Sequence, residues 1–389
     1  MGRGRRGARA GRLRLLLRRQ SGAPRRARPA RPAARDVRVV TARGRAPRVL
    51  FRCDARPDLG GGHVMRCLAL ADALERKGAR IGFSVNEGAT RVAPALRRAG
   101  HAIAVAPETR LAPAPWDGPS DLIVVDCYDI DAGIEQDFRR MTRRIAVIDD
   151  LADRAHDCDL LLDQNYGKDA ARYAGLVPDH AALLLGPDYA LLRPEFAARR
   201  DESLARRRRP SLERVLVSLG LTDVGGVTAR IVDALLGADP EIAVDAVIAA
   251  GAASRETLEE RSRAEPRLSL HLDAADMAEL MTRADLAVGA GGGTALERCA
   301  LGLPSLVTVL ADNQADLAAS LDAAGAAIGV GRDDGDLGER IAKCLVDLRE
   351  TPTMLRVMSD AAARICDGRG AERVAGRMLG LFEPAGADG

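Results

Sequence analysis

From Arg48 onward, short apolar runs alternate with segments of helical periodicity, and this alternation limits the fold more than any other feature. A strand followed by an amphipathic helix, repeated, builds a parallel sheet with helices on its faces. In the first half the strand candidates are 48–53 (RVLFRC), 80–85, 101–105, 121–126 (DLIVVD), 143–148 and 159–163. Between the first two, 64–77 places Val64, Cys67, Leu68, Ala71 and Leu74 on one helical face. A second series begins at 214–219 (RVLVSL), with a helix near 226–236 and strands at 243–250, 267–272, 285–289, 305–309 and 326–330. Residues 187–213, with Pro187, Pro194, Arg206 to Arg209 and Pro210, read as the connection, and 335–382 as helical. The expected architecture is α/β, with two doubly wound, Rossmann-like domains facing across a cleft, where such sheets put their ligands. The expected boundaries are a leader at 1–47, domains at 48–200 and 201–382, and a tail at 383–389.

Charge narrows the partners. Residues 1–47 hold sixteen Arg against one acid, Asp36, so the +3 of the whole chain leaves residues 48–389 at −12. An acidic body with 3% aromatic residues lacks the basic patch and the stacking rings that nucleic-acid binding needs. The leader reads as a disordered segment or as upstream sequence translated from an earlier start; a transit peptide and a tail for anionic surfaces are the alternatives. No apolar stretch approaches the ~18–20 residues that span a bilayer, so stable membrane insertion is not expected. The seven cysteines are scattered and form no CxxC pair, which fits a reducing, cytoplasmic setting.

Two glycine-rich loops carry the chemistry. The first is RCDARPDLGGGHVMRCLALADAL, 52–74, where Gly60, Gly61 and Gly62 permit close backbone approach and His63 falls at the start of a helix. A helix N-terminus opposes protonation of a nearby imidazole, so His63 suits a general base acting on water. Tight packing, phosphate binding or helix capping are the alternatives for the same pattern. The second is DLAVGAGGGTALERCALGLPSL, 285–306, in which Gly289, Gly291, Gly292, Gly293 and Thr294 lead into a helix and suit a diphosphate. Glu297 is placed to accept hydrogen bonds from a ribose diol; a Thr294–Glu297 capping box is the alternative. The loop has no Lys after its glycines and lacks dinucleotide-fingerprint spacing.

Both loops resemble those of the sugar-nucleotide hydrolases of pseudaminic acid biosynthesis, which act on a UDP-linked 2,4-diacetamido-2,4,6-trideoxy hexose. The likeness runs over about 48–382 and includes VVDCYDID (124–131), IDDLADRAHDCDLLLDQN (148–165), LLGPDYALLRPEF (184–196) and ADNQ (311–314). The C-terminal portion is also similar to the UDP-binding half of the transferase that adds N-acetylglucosamine in peptidoglycan synthesis. The resemblance implies a GT-B-like architecture with UDP on the second domain. It also implies a catalytic role for His63 and active-site positions for Tyr128 and Asn313. Gly61, Gly62, Arg66, Gly291, Gly292, Gly293, Thr294, Glu297 and Gln314 are the expected substrate and UDP contacts. On residue chemistry alone, Tyr128 is equally a packing aromatic, and for Asn313 and Gln314 helix capping is the better reading. Where the family has a double glycine, this chain reads SLGLTD at 218–223, with Leu221 in place of the second.

The expected reaction is hydrolysis at the anomeric carbon, giving UDP and free sugar. No cofactor is implied. No metal is expected either, since Asp149–Asp150 and Asp333–Asp334 read as turn residues. The alternatives are a GT-B glycosyltransferase, a hydrolysing epimerase and a non-catalytic nucleotide-sugar binding protein. The oligomeric state is not specified by these residues.

Overall fold

The computed structural model describes residues 45–56, 60–220 and 223–382. The leader as far as residue 44, the tail 383–389 and Leu221 lie outside the described residues.

The first lobe contains β1 (Arg48–Cys53), α1 (Gly62–Arg76), β2 (Arg80–Val85), β3 (Ala102–Val105), β4 (Ser120–Asp126), α2 (Ala132–Phe138), β5 (Thr142–Ile148), β6 (Leu160–Asp163) and β7 (Ala182–Leu185). The sheet is parallel, in the order β3-β2-β1-β4-β5-β6-β7. Strands at its centre are covered on both faces, which is why they read as continuous apolar runs. Successive side chains still divide between two cores: Val49, Phe51, Leu122 and Val124 enter one, and Leu50, Ile123 and Val125 the other. Val64, Cys67, Leu70, Ala71 and Leu74 bury one face of α1 against the first core. Each large apolar side chain contributes about 1.5–3 kcal/mol by leaving water. The helix stops at Gly78, whose φ of 92° is left-handed and whose N–H bonds back to Glu75 O at 2.8 Å.

A helix, α3 (Pro194–Arg206), leads to the second lobe: β8 (Arg214–Ser218), α4 (Val227–Ala238), β9 (Ala243–Ile248), α5 (Arg255–Ala264), β10 (Leu268–Leu272), α6 (Met277–Arg283), β11 (Leu286–Ala290), α7 (Thr294–Ala300), β12 (Ser305–Val309), α8 (Ala315–Ala323) and β13 (Ala327–Arg332). This sheet too is parallel, in the order β10-β9-β8-β11-β12-β13. Helices α9 (Leu337–Glu350), α10 (Thr353–Ile365) and α11 (Gly370–Gly380) complete the chain. The last returns to the first lobe, where Val374, Ala375, Met378 and Leu379 share a core with Leu70 and Leu74. Each lobe is thus a doubly wound α/β layer, as the strand–helix alternation predicts.

Two local expectations need correction. Residues 182–185 form β7, which the sequence reading leaves unassigned, and α3 lies inside the stretch read as a connection. Pro194 occupies the first turn of α3, where its missing N–H costs nothing, so it starts the helix instead of breaking it.

Candidate active site

Strand order reverses between β1 and β4 in one sheet and between β8 and β11 in the other, opening a crevice at each switch point. Cys53 and Asp126, the last residues of β1 and β4, are register partners. The chain leaving β1 passes through Gly60, whose φ of 78° disfavours a side chain, to Gly61, the N-cap of α1. His63 is therefore the second residue of the helix and 6% exposed.

The His63 Nδ1 lies 2.5 Å from Asp126 Oδ1. Asp126 is fully buried and also accepts from Arg66 Nε at 2.7 Å, Arg66 Nη2 at 2.6 Å and the Cys67 thiol at 3.4 Å. Burial pushes the Asp126 carboxyl up, but the Arg66 guanidinium and the His63 ring outweigh it and hold the group well below the usual carboxylate range. An ionised carboxylate only accepts, so the contact places a proton on Nδ1 and leaves Nε2 as the ring nitrogen at which a proton can be gained or lost. The 3.1 Å approach of Arg66 Nη2 to Nδ1 follows from both groups donating to the same Oδ1. Nε2 has no hydrogen-bond partner among the described residues.

Arg66 continues outward, donating from Nη1 to Asp150 Oδ2 at 3.0 Å. The Tyr128 hydroxyl donates to Asp150 Oδ1 at 2.8 Å, and its ring stands edge-on to His63 with centroids 4.7 Å apart. From the second lobe, Asn313 Nδ2 donates to the Tyr128 hydroxyl at 3.3 Å. Burial and the Asp150 charge keep the Tyr128 phenol protonated well above its ordinary range. Asp150 is held low despite burial, by the Arg66 and His63 charges and its hydrogen bonds from Arg66 and Tyr128. His63, Tyr128 and Asn313 are thus brought together. Arg66, expected among the substrate and UDP contacts, is paired with two carboxylates, Asp126 and Asp150.

Asp126 and Asp150 are the residues whose part in the site sequence reasoning passed over: Asp150 lies in the bend after β5, as expected of a turn residue, and its side chain also reaches Arg66. Asp149 makes the turn, accepting from Ala152 N at 2.8 Å and pairing with Arg154 at 2.9 Å, while Asp150 reaches back to Arg66. A signal for Asp126 was present: a carboxylate that follows the apolar run Leu122 to Val125 at the C-terminal end of a central strand stands at the edge where ligands bind.

In the second lobe the glycines after β11 divide by role. A Cβ on Gly291 would lie 2.8 Å from the Gln314 carbonyl oxygen, whereas at Gly292 and Gly293 the nearest atoms are 3.8 and 4.0 Å away. The first glycine serves packing, and the other two leave room. Gly293 is the N-cap of α7 and makes no side-chain cap, so the Thr294–Glu297 box does not form. The Thr294 hydroxyl oxygen accepts from Arg298 Nη1 at 3.3 Å, leaving its O–H to donate. Arg298 is buried beneath the turn, bonds Ala290 O at 2.8 Å, and its pKa is lowered to about 10 by burial. Glu297 is half-buried, and burial pushes it up to about 7 against the pull of Arg193 and Arg298. Gln314 accepts from Leu310 N at 3.1 Å, which closes the turn carrying Asn313. Gly62 is exposed, with open space where a Cβ would sit.

A cavity of about 320 Å³ lined by Tyr166, Leu185, Pro187, Ala361, Arg364 and Ile365, among others, shares no residue with either glycine loop. Among the described residues no three His, Cys, Asp or Glu side chains converge as metal ligands, and no helix is long and apolar enough to cross a membrane. All seven cysteines are free thiols.

Residues 230–374 match the model of the glycosyltransferase family 28 C-terminal domain. No curated protein sequence matches the chain. Among solved structures, MurG of Acinetobacter baumannii is similar at 15% identity and a TM-score of 0.58, over 85% of this chain and 99% of that one. The UDP-GlcNAc 2-epimerase of Neisseria meningitidis bound to UDP-GlcNAc is similar at 12% identity and a TM-score of 0.57, over 85% and 99%. Arabidopsis thaliana UGT89C1 complexed with UDP follows at 14% and 0.55, over 86% and 100%. At these identities the likeness shows the fold, which is GT-B-like.

Proposed function

We propose that the chain hydrolyses a UDP-linked 2,4-diacetamido-2,4,6-trideoxy hexose at its anomeric carbon, a step in pseudaminic (nonulosonic) acid biosynthesis. The observation that carries this reading is the His63–Asp126 pair at the first switch point, which fixes a ring proton on Nδ1 and leaves Nε2 as the atom that exchanges a proton. Water attacks the anomeric carbon and gives its proton to Nε2. The bond from that carbon to the phosphate oxygen breaks, and its electron pair leaves with UDP. Asp126 stabilises the imidazolium that forms, as a buried carboxylate does in other histidine-base sites. The leaving diphosphate is assigned to the turn at Gly292, Gly293 and Thr294, over the buried cation of Arg298, and the ribose to Glu297. Asn313 and Tyr128 are assigned to the sugar side of the cleft.

Support for the nucleotide comes from the GT-B-like fold and from the neighbours whose structures hold UDP or UDP-GlcNAc. Support for water as the nucleophile comes from the loop resemblance and the base geometry. The second reading is a transferase that gives the sugar to an acceptor hydroxyl, favoured by the family-28 match over 230–374. Incubation of the chain with the UDP-linked diacetamido sugar and no acceptor separates them. Equal amounts of UDP and free sugar support hydrolysis, and absolute dependence on an acceptor overturns it.

A further inference from the structure

One set of hydrogen bonds runs without a break from the second lobe to the base. Asn313 donates to the Tyr128 hydroxyl, which donates to Asp150; Arg66 bridges Asp150 and Asp126, and Asp126 holds His63. Every direction is fixed by chemistry, because a carboxylate can only accept and a guanidinium can only donate. The Tyr128 hydroxyl accepts one bond and donates one, so it conveys polarisation from lobe to lobe.

We propose that Asp150 is a positioning residue for the base. It clamps Arg66 against Asp126 and, through Tyr128 and Asn313, makes the proton affinity of His63 depend on the opposite lobe. This rests on the reading of His63 as the base. Asp150 never touches the reacting atoms in this account and acts through Arg66 and Asp126. The side chain of Arg66 is 11% exposed and that of Asp150 15%, so little water intervenes to screen the pair. Asp126, Arg66 and Tyr128 touch His63 directly; behind them, the Cys67 thiol donates to Asp126, and Asp150 holds Arg66 and Tyr128. Asn313, neutral, is the contribution from the second lobe. The His63 and Asp150 charges attract, so by linkage the ionised carboxylate favours the imidazolium.

The two neighbours should move the base in opposite directions. Asp150→Asn removes a negative charge, so His63 should release its proton about one pH unit lower than in the wild type. Tyr128→Phe keeps the ring against His63 but frees the Asp150 carboxylate from a donor, so the midpoint should rise by a few tenths of a unit. The test is nitrogen-15 histidine NMR of the full-length chain, which has only five histidines, with the acid limb of kcat/KM followed alongside. Opposite movements in the two variants support the clamp. Midpoints for both within 0.2 of the wild type, an experimental threshold of about the error of such titrations, overturn it, as does movement of both in the same direction. The NMR comparison needs no substrate. A wild-type chain without turnover therefore sinks the hydrolytic reading, while the NMR still decides the clamp. If Asp150→Asn does not fold, Tyr128→Phe, which keeps every carboxylate, decides alone: a rise supports the clamp, and no change or a fall overturns it.

Discussion

Asp126 ends β4 as the register partner of Cys53, the last residue of β1, and that pairing brings a carboxylate to the ring of His63. The two strands are neighbours only because the sheet reverses its order there. A base and its orienting acid, 63 positions apart, are therefore joined by topology.

Replacing His63 with Ala should abolish UDP release, a loss of about ten-thousandfold, the upper end of what a positioned general base contributes. UDP affinity, assigned to the second lobe, should change little. Turnover by UDP assay and binding by calorimetry check the two halves separately.

Asp126→Asn should lower turnover about a thousandfold, because the amide no longer holds the imidazole in one tautomer. It should also destabilise the chain, since Arg66 loses its principal counter-charge in a buried site, a change that costs about 3–5 kcal/mol. The Asp126 pKa is depressed on folding, so its stabilisation is present above the ordinary carboxylate pKa and is lost as pH falls toward the folded value. Urea unfolding should show the full deficit at pH 7 and a smaller one below about pH 4.

Glu297 has the opposite sign. Its pKa is raised by burial to about 7, so the folded chain loses stability as pH rises from the ordinary glutamate value, 4.5, through 7. Glu297→Gln removes that loss, and its melting temperature relative to the wild type should rise between pH 5 and pH 8, the window about those values. If the carboxylate accepts from the ribose, wild-type UDP affinity should gain from pH 6 to pH 8 beyond any gain in the variant, over about the same window.

Gly291→Ala and Gly293→Ala should separate packing from binding. The first drives a methyl against the Gln314 carbonyl and should cost about 1–3 kcal/mol of stability. The second meets nothing closer than 4.0 Å, so the fold should hold while UDP binding weakens. Thermal melts and UDP titration of both variants test the division.

Much of this architecture is legible in the sequence, because strands buried on both faces announce themselves as apolar runs. β7 escapes because ALLL is four residues long at a sheet edge, with no alternation to identify it. α3 escapes because Pro194 and Arg206 to Arg209 look like breakers, although a proline is compatible with the first turn of a helix that buries Phe196 and Ser203, and Arg207, just past its end, is buried and donates to the carbonyls of Met281 and Ala284. His63 is visible from its glycines and the family likeness. Asp126 and Asp150 depend on which strands lie side by side, and local spacing carries no record of that.

Hydrolysis in water enriched with oxygen-18 tests the central claim most directly. Attack at the anomeric carbon places one labelled oxygen in the released hexose and none in UDP. Label in the UDP phosphate, or no sugar released until an acceptor is added, would contradict a histidine-activated water at that carbon.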